Sequence, residues 1–171
     1  MSGPDMDALW EAGARAGALL KQRGETIAVC ESSAGGLISA ALLRVPGASA
    51  YYMGGGVIYT KTSIREIAGI DMKKLWKQEG IRSSTEGFAQ RLADSIRTSH
   101  ATTWGLGETG AAGPGNGYGD PAGHSCQAIS GPAPRVVMQR TGEEDRGDNM
   151  VRFAIHALNL LSEQLGVPVA T

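Results

Sequence analysis

Aromatic residues are scarce in this chain, with three Trp, four Tyr and two Phe among 171 residues. Any core must therefore be filled by aliphatic side chains and by close approach of small residues, consistent with 25 Gly in the same sequence. Cysteine is nearly absent: Cys30 and Cys126 are the only two, far apart and without C-x-x-C spacing. That excludes a disulfide framework and a cysteine zinc site, and leaves two buried thiols as the expectation. Net charge is also lacking. Sixteen Lys and Arg offset seventeen Asp and Glu, giving a formal charge of −1, so binding to nucleic acid or to a membrane surface through bulk charge is not expected. No apolar run reaches the length of a membrane span. The start, Met1-Ser2-Gly3-Pro4-Asp5, lacks the basic segment and apolar core of a signal peptide, which makes the cytoplasm the expected compartment. A chain of 171 residues suits one substantial core, read as a single domain over 1–171.

What is present is organised around Thr26-Ile27-Ala28-Val29-Cys30-Glu31-Ser32-Ser33-Ala34-Gly35-Gly36. A strand-like apolar run breaks there into hydroxyls and paired glycines, ahead of a helical segment from Leu37 to Leu43. The first amides of a helix have no intrahelical partner and carry partial positive charge, so such a turn can hold a phosphate or a developing oxyanion. Gly35 and Gly36 would let a ligand come close to the backbone. The plainer alternative is that Ser32 or Ser33 caps the helix.

Around this stretch, residues 5–23 carry apolar residues at helical spacing and form a first helix. Pro46 and Gly47 punctuate a turn, and Gly54-Gly55-Gly56 leads into a short strand, Val57-Ile58-Tyr59. A short helix from Ser63 to Ala68 closes at Gly69, and a mixed segment follows to Gly80. Ser84 or Thr85 caps a helix through Phe88, Leu92 and Ile96, and a strand with small residues ends at Thr109. The segment from Glu108 to Gly123 is too rich in glycine for regular structure, and a loop of that length inside a compact domain is usually functional. His124-Ser125-Cys126-Gln127-Ala128-Ile129 and Arg135-Val136-Val137-Met138-Gln139-Arg140 read as two further strands, and Asp148 or Asn149 as the cap of a final helix. His100 and His156 read as cap or surface residues, and His124 as a hydrogen-bonded structural histidine. Alternating helices and strands give an α/β fold: a three-layer α/β/α domain whose closely spaced late strands make the sheet mixed. Ligands in such sheets sit beyond the carboxyl ends of the strands, where the loops after Cys30, Tyr59 and Thr109 would converge.

The segments Glu31-Ser32-Ser33-Ala34-Gly35-Gly36, Val45-Pro46-Gly47-Ala48-Ser49-Ala50-Tyr51, Gly55 to Tyr59, Gly110-Ala111-Ala112-Gly113-Pro114 and Pro121-Ala122-Gly123 resemble, in order and spacing, the carboxy-terminal domain of the competence/damage-inducible CinA proteins. Single-domain members of that family are nicotinamide mononucleotide (NMN) deamidases. The resemblance implies hydrolysis of a pyridine nucleotide carboxamide without metal or other cofactor, a small-molecule nucleotide as partner and a homo-oligomer. It assigns Ser32 as nucleophile, Tyr59 as a proton relay or orienting group, and Ser33, Gly35, Gly36, Ser49, Thr109, Gly110, Ala111 and Asn116 as substrate-binding residues. It also implies a lysine five residues after the tyrosine, where this chain has Ile64. Lys61 is the nearest amine, rotated about 60° and displaced about 4.5 Å along a helix from position 64, and becomes the candidate base; the alternative is a solvated surface lysine. Ala34 replaces the family threonine, the arginine expected ahead of the final helix has no clean counterpart in Arg146 or Arg152, and residues 116–120 form an insert. A catalytically altered nucleotide-binding module is therefore the second reading. A third, with Cys30 as nucleophile, has no histidine partnered to it locally.

Overall fold

The computed structural model describes residues 6–166, so the reading of Met1 to Asp5 lies outside the described residues. Helix α1 (Met6–Arg23) leads into β1 (Ile27–Glu31) and α2 (Leu37–Leu43); a single 3-10 turn over Ala48–Ala50 precedes β2 (Tyr52–Val57). Helices α3 (Lys61–Ala68), α4 (Met72–Glu79) and α5 (Glu86–Ser99) follow, then strands β3 (Trp104–Ala111), β4 (His124–Ser130) and β5 (Arg135–Arg140), and finally α6 (Arg146–Leu165). The sheet runs β2-β1-β3-β4-β5, with β1 parallel to β2 and β3 and the last three strands antiparallel. This is the expected mixed sheet. Ile27 and Val29 face a core formed with α1, α2 and α6, whereas Ala28 and Cys30 face a second core formed with α3, α4 and α5, so β1 is buried on both sides. The three-layer expectation holds. No helix among the described residues is long and apolar enough to cross a membrane.

Small residues set the layer spacing. A Cβ on Gly105 or Gly107 of β3 would lie 2.2 Å from the carbonyl oxygens of Ala93 and Ala89 of α5, so helix and strand meet almost backbone to backbone. The glycine run at 54–56 departs from expectation: it lies inside β2 rather than in a turn before it, and the strand ends at Val57 before Tyr59. Gly55 has φ +148 and a Cβ there would sit 1.8 Å from the Val29 carbonyl oxygen, so neighbouring β1 dictates the glycine. Other boundaries differ as well: α3 begins at Lys61 rather than Ser63, and β3 runs to Ala111, so the first four residues of the glycine-rich segment are strand paired with β4. The segment before Gly80 holds α4, capped by Asp71, and α6 is capped by Asp145, four residues ahead of Asn149, whose buried side chain instead donates to the Ala112 carbonyl at 2.7 Å.

Gly55→Ala combines steric overlap with strain at positive φ and is expected to destabilise the protein by more than about 3 kcal/mol. Gly24→Ala, also at positive φ but facing open space, should cost about 1 kcal/mol. Urea denaturation of the two variants checks the contrast.

Candidate functional site

The chain passes from β1 to β2 on one side and then to β3 on the other, so the sheet switches direction between β1 and β3. The carboxyl ends of these two parallel strands therefore diverge into a crevice, the usual ligand position in open α/β sheets. β1 ends there in Glu31, Ser32 and Ser33, and β3 in Glu108, Thr109, Gly110 and Ala111. The two stretches singled out in the sequence do meet. A cleft of about 340 Å3 is lined by Ser32, Tyr59, Lys61, Thr109, Gly110 and Asn116, together with Ile64, Ser84 and Tyr118. A second lobe of about 270 Å3 shares Tyr59, Gly110 and Asn116 and adds Ser33, Ala111 and Arg146.

The bend carrying the serines is held by two buried carboxylates. Glu108 accepts from the amides of Ser32 (3.1 Å) and Ala34 (2.9 Å) through one oxygen, and from the hydroxyls of Ser33 and Ser125 (2.7 Å) through the other. Glu31 accepts from the amides of Gly36 (3.0 Å), Ile38 (3.1 Å) and Ser39 (2.9 Å) and from the Ser39 hydroxyl (2.6 Å). Burial pushes the Glu31 carboxyl up from the usual range, the bonds from Ser39 and Ile38 pull it back, and nearby Glu108 adds to the rise. These contacts correct the expectation of an open helix mouth. The amides meant for a phosphate are already filled by the protein's own anions, and Gly36, the N-cap position, provides no side-chain cap, so neither serine caps α2. Among the described residues, the Ser33 amide is the one in this bend with no acceptor. At Gly35 and Gly36 the chain turns at positive φ; a Cβ on Gly35 would strike the end of Met150 and one on Gly36 would touch Val57.

The remaining candidates divide by position. Ser32 is half-buried at the cleft, with no hydrogen bond to its hydroxyl among the described residues. Lys61 is exposed at the first position of α3, where Thr60 and Ser63 form a capping box, and Ile64 turns inward as part of the cleft wall. Tyr59 is exposed, and its hydroxyl lies 3.3 Å from the Arg146 guanidinium, which also donates to the Gly113 carbonyl. Arg146, unplaced by the sequence, thus belongs to the site. Asn116 lines the cleft but spends its amide on the loop: Nδ2 donates to Asp120 (2.8 Å) and Ser84 (3.2 Å), and Oδ1 accepts from the amides of Tyr118 and Asp120. It therefore braces the loop while also lining both lobes of the cleft. Ser49 is not brought to the cleft. It lies in the 3-10 turn before β2, at the end of the sheet where Ile27 pairs with Tyr52, about 16 Å from Ser32 at ~3.3 Å per strand residue.

Two residues escaped the sequence reading. Ser84 adopts φ 59, a left-handed conformation rare outside glycine, and is pinned there by Thr109 Oγ1, the Gly110 carbonyl and His124 Nε2. His156 is not a surface residue: its Nδ1 donates to Gln127 Oε1 (3.0 Å), and Gln127 donates to Ser125, which donates to Glu108. Burial lowers the His156 pKa. Cys30 and Cys126 are buried, and burial raises both thiols to about 12, which leaves them unsuited as nucleophiles. Loop 116–120 is clamped by Arg82, which holds both oxygens of Asp120 at 2.7 and 3.0 Å and keeps that carboxyl below its usual range.

Residues 11–165 match the family model described as the CinA C-terminal domain. The chain belongs to that family. Its relatives include CinA-like proteins of Acidobacterium capsulatum, 36% identical over 147 residues covering 85% of this chain and 35% of the relative, and of Myxococcus xanthus, 36% identical over 158 residues covering 89% and 36%. The chain thus spans about a third of the length of these relatives. Among solved structures, a CinA superfamily protein from Klebsiella pneumoniae superposes with a TM-score of 0.82 at 24% identity, covering 92% of this chain and 97% of that one. A competence/damage inducible protein from Agrobacterium tumefaciens gives 0.80 at 24%, covering 96% and 98%. These two likenesses establish the CinA fold.

Glu108→Ala would strand two amides and two hydroxyls and should cost roughly 3 kcal/mol or more, while Glu108→Gln, which keeps one acceptor oxygen, should cost about half as much; chemical denaturation measures both. Because the folded His156 pKa lies below the unfolded one, the unfolded state takes up the proton first and stability falls as pH drops through about 6.5. Partial exposure keeps the slope to a fraction of ~1.4 kcal/mol per pH unit. His156→Gln should flatten it in urea titrations at pH 5.5 and 7.5.

Proposed function

We propose that the chain hydrolyses the carboxamide of NMN to nicotinic acid mononucleotide and ammonia. The observation that supports this best is the Ser32 hydroxyl, free of other hydrogen bonds among the described residues, opening on the cleft that Tyr59, Lys61 and Thr109 also line. In this reading the Ser32 oxygen attacks the amide carbon as its proton passes to the Lys61 amine. The Ser33 amide donates to the oxyanion, a position next to the nucleophile that suits such a donor. Collapse breaks the C–N bond, the departing nitrogen takes a proton and leaves as ammonia, and water then cleaves the acyl ester. Tyr59, beside Arg146, orients the substrate phosphate or relays the proton. No metal or cofactor enters these steps.

A binding module without turnover is the second reading. It is favoured by Ile64 in the cleft wall, where the family deamidases have lysine, and by the lack of a base hydrogen-bonded to Ser32 among the described residues. Ammonia release from NMN separates the two. Active protein should lose at least about a thousandfold in kcat as Ser32→Ala and about a hundredfold as Lys61→Ala. Calorimetric binding of NMN by an inert wild-type protein, or undiminished release by Ser32→Ala, would refute the mechanism.

A further inference from the structure

Of the nine aromatic residues, Tyr51, Phe88, Trp104 and Phe153 are buried and Trp10 and Tyr52 half-buried. The other three, Tyr59, Trp76 and Tyr118, are 67%, 59% and 56% exposed. All three line one continuous depression. Tyr59 and Tyr118 border the Ser32 cleft, and Tyr118 with Trp76 borders an adjoining groove of about 280 Å3 that shares Lys61, Met72 and Tyr118 with that cleft. In a chain so poor in aromatics, exposure of large rings only along one groove is unexpected for a surface that contacts nothing but water.

The groove is also cationic. Lys61 and Lys73 supply that charge with no carboxylate among the lining residues, and Arg82 lines it too with its own charge paired to Asp120. One of its rings is held in place: the Arg82 guanidinium sits 4.8 Å from the centroid of Tyr118 and is itself fixed by both oxygens of Asp120. Flat rings beside ammonium groups are the chemistry of nucleobase stacking with phosphate neutralisation.

We propose that this groove is a second nucleotide subsite, so that the preferred ligand is a pyridine dinucleotide. Resting on the reading of the Ser32 cleft given above, the nicotinamide end lies at Ser32, the diphosphate passes Lys73, and the distal base stacks on Trp76 and Tyr118. Each lobe is close to the lower bound for small-molecule sites, a size that suits half of a dinucleotide. With such a ligand the same hydrolysis releases ammonia and leaves the carboxylate on the pyridine of the dinucleotide.

Titration calorimetry of the full chain with NMN and with NAD tests the subsite, with Trp76→Ala and Lys73→Ala as variants because both side chains lie outside the Ser32 cleft. NAD should bind at least tenfold more tightly than NMN. Each substitution should weaken NAD about tenfold and leave NMN unchanged, and Trp76→Phe should restore most of the loss. Trp76 fluorescence should be quenched by NAD and not by NMN. Equal affinities for the two nucleotides, or a Trp76→Ala effect shared by both or absent from both, would overturn the subsite while leaving NMN deamidation intact. Failure of both nucleotides to bind would remove the Ser32-cleft reading and this inference with it.

Discussion

Two buried carboxylates filling backbone amides are the constraint on which the rest of this site depends. A bend that exposes a serine at the end of a buried strand leaves several N–H groups pointing into the protein, each costly without an acceptor. Here Glu31 serves the first turn of α2 and Glu108 the bend itself, so β1, β3 and α2 are tied together by side chain to backbone bonds. The charge of each anion is spread over four donors, which is what makes its burial tolerable. Carboxylates saturated in this way act as clamps. On the function proposed above, a substrate phosphate finds the α2 amides occupied and a guanidinium, Arg146, on the opposite wall.

The scarcity of aromatic residues follows from the layer spacing. Gly105 and Gly107 against Ala89 and Ala93, and Gly13 against Ala41, bring helices onto the sheet and onto each other with no room for rings between them. Dispersion contacts from close-packed backbone replace the area a few large side chains would have buried. The rings are then available at the margin, where α4 and loop 116–120 present Trp76 and Tyr118. Arg82 links these features, since its pairing with Asp120 fixes the loop and its face supports Tyr118.

Element order, the mixed sheet and the meeting of the serine bend with the glycine-rich segment were legible because they rest on periodicity, turn residues and strand-end geometry, all local or topological. The glycine run in β2 was not, since its cause is the Val29 carbonyl of the neighbouring strand. Glu108 carried no sign of its role: its partners in the serine bend lie 74 to 76 residues away, and a carboxylate in a glycine-rich stretch looks the same whether it faces water or an amide. The left-handed Ser84 and the Arg146 to Tyr59 contact were hidden for the same reason, because a long-range contact selects them against local preference. Gly35 and Gly36 were read through their type. Glycine permits both close ligand approach and positive φ, and the sequence does not show the positive φ that both residues adopt here or the Met150 side chain beside Gly35.

The position of the base follows from how α3 is seated. Thr60 and Ser63 close a capping box that fixes the first turn, and Ile64 turns inward to pack in the apolar cluster with Phe88 and Leu92. A lysine at 64 would have to send its amine out from this apolar wall into the cleft. An amine at 61 starts at the rim and reaches in, arriving from the solvent side through a stem with four rotatable carbons. The two placements approach Ser32 along different lines, and in the mechanism proposed above a base at 61 reaches the hydroxyl by swinging its flexible stem across the cleft. An anionic ligand favours the ammonium form and burial the neutral amine, so the proposed base works only where its stem carries the amine out of water against the apolar wall of Ile64.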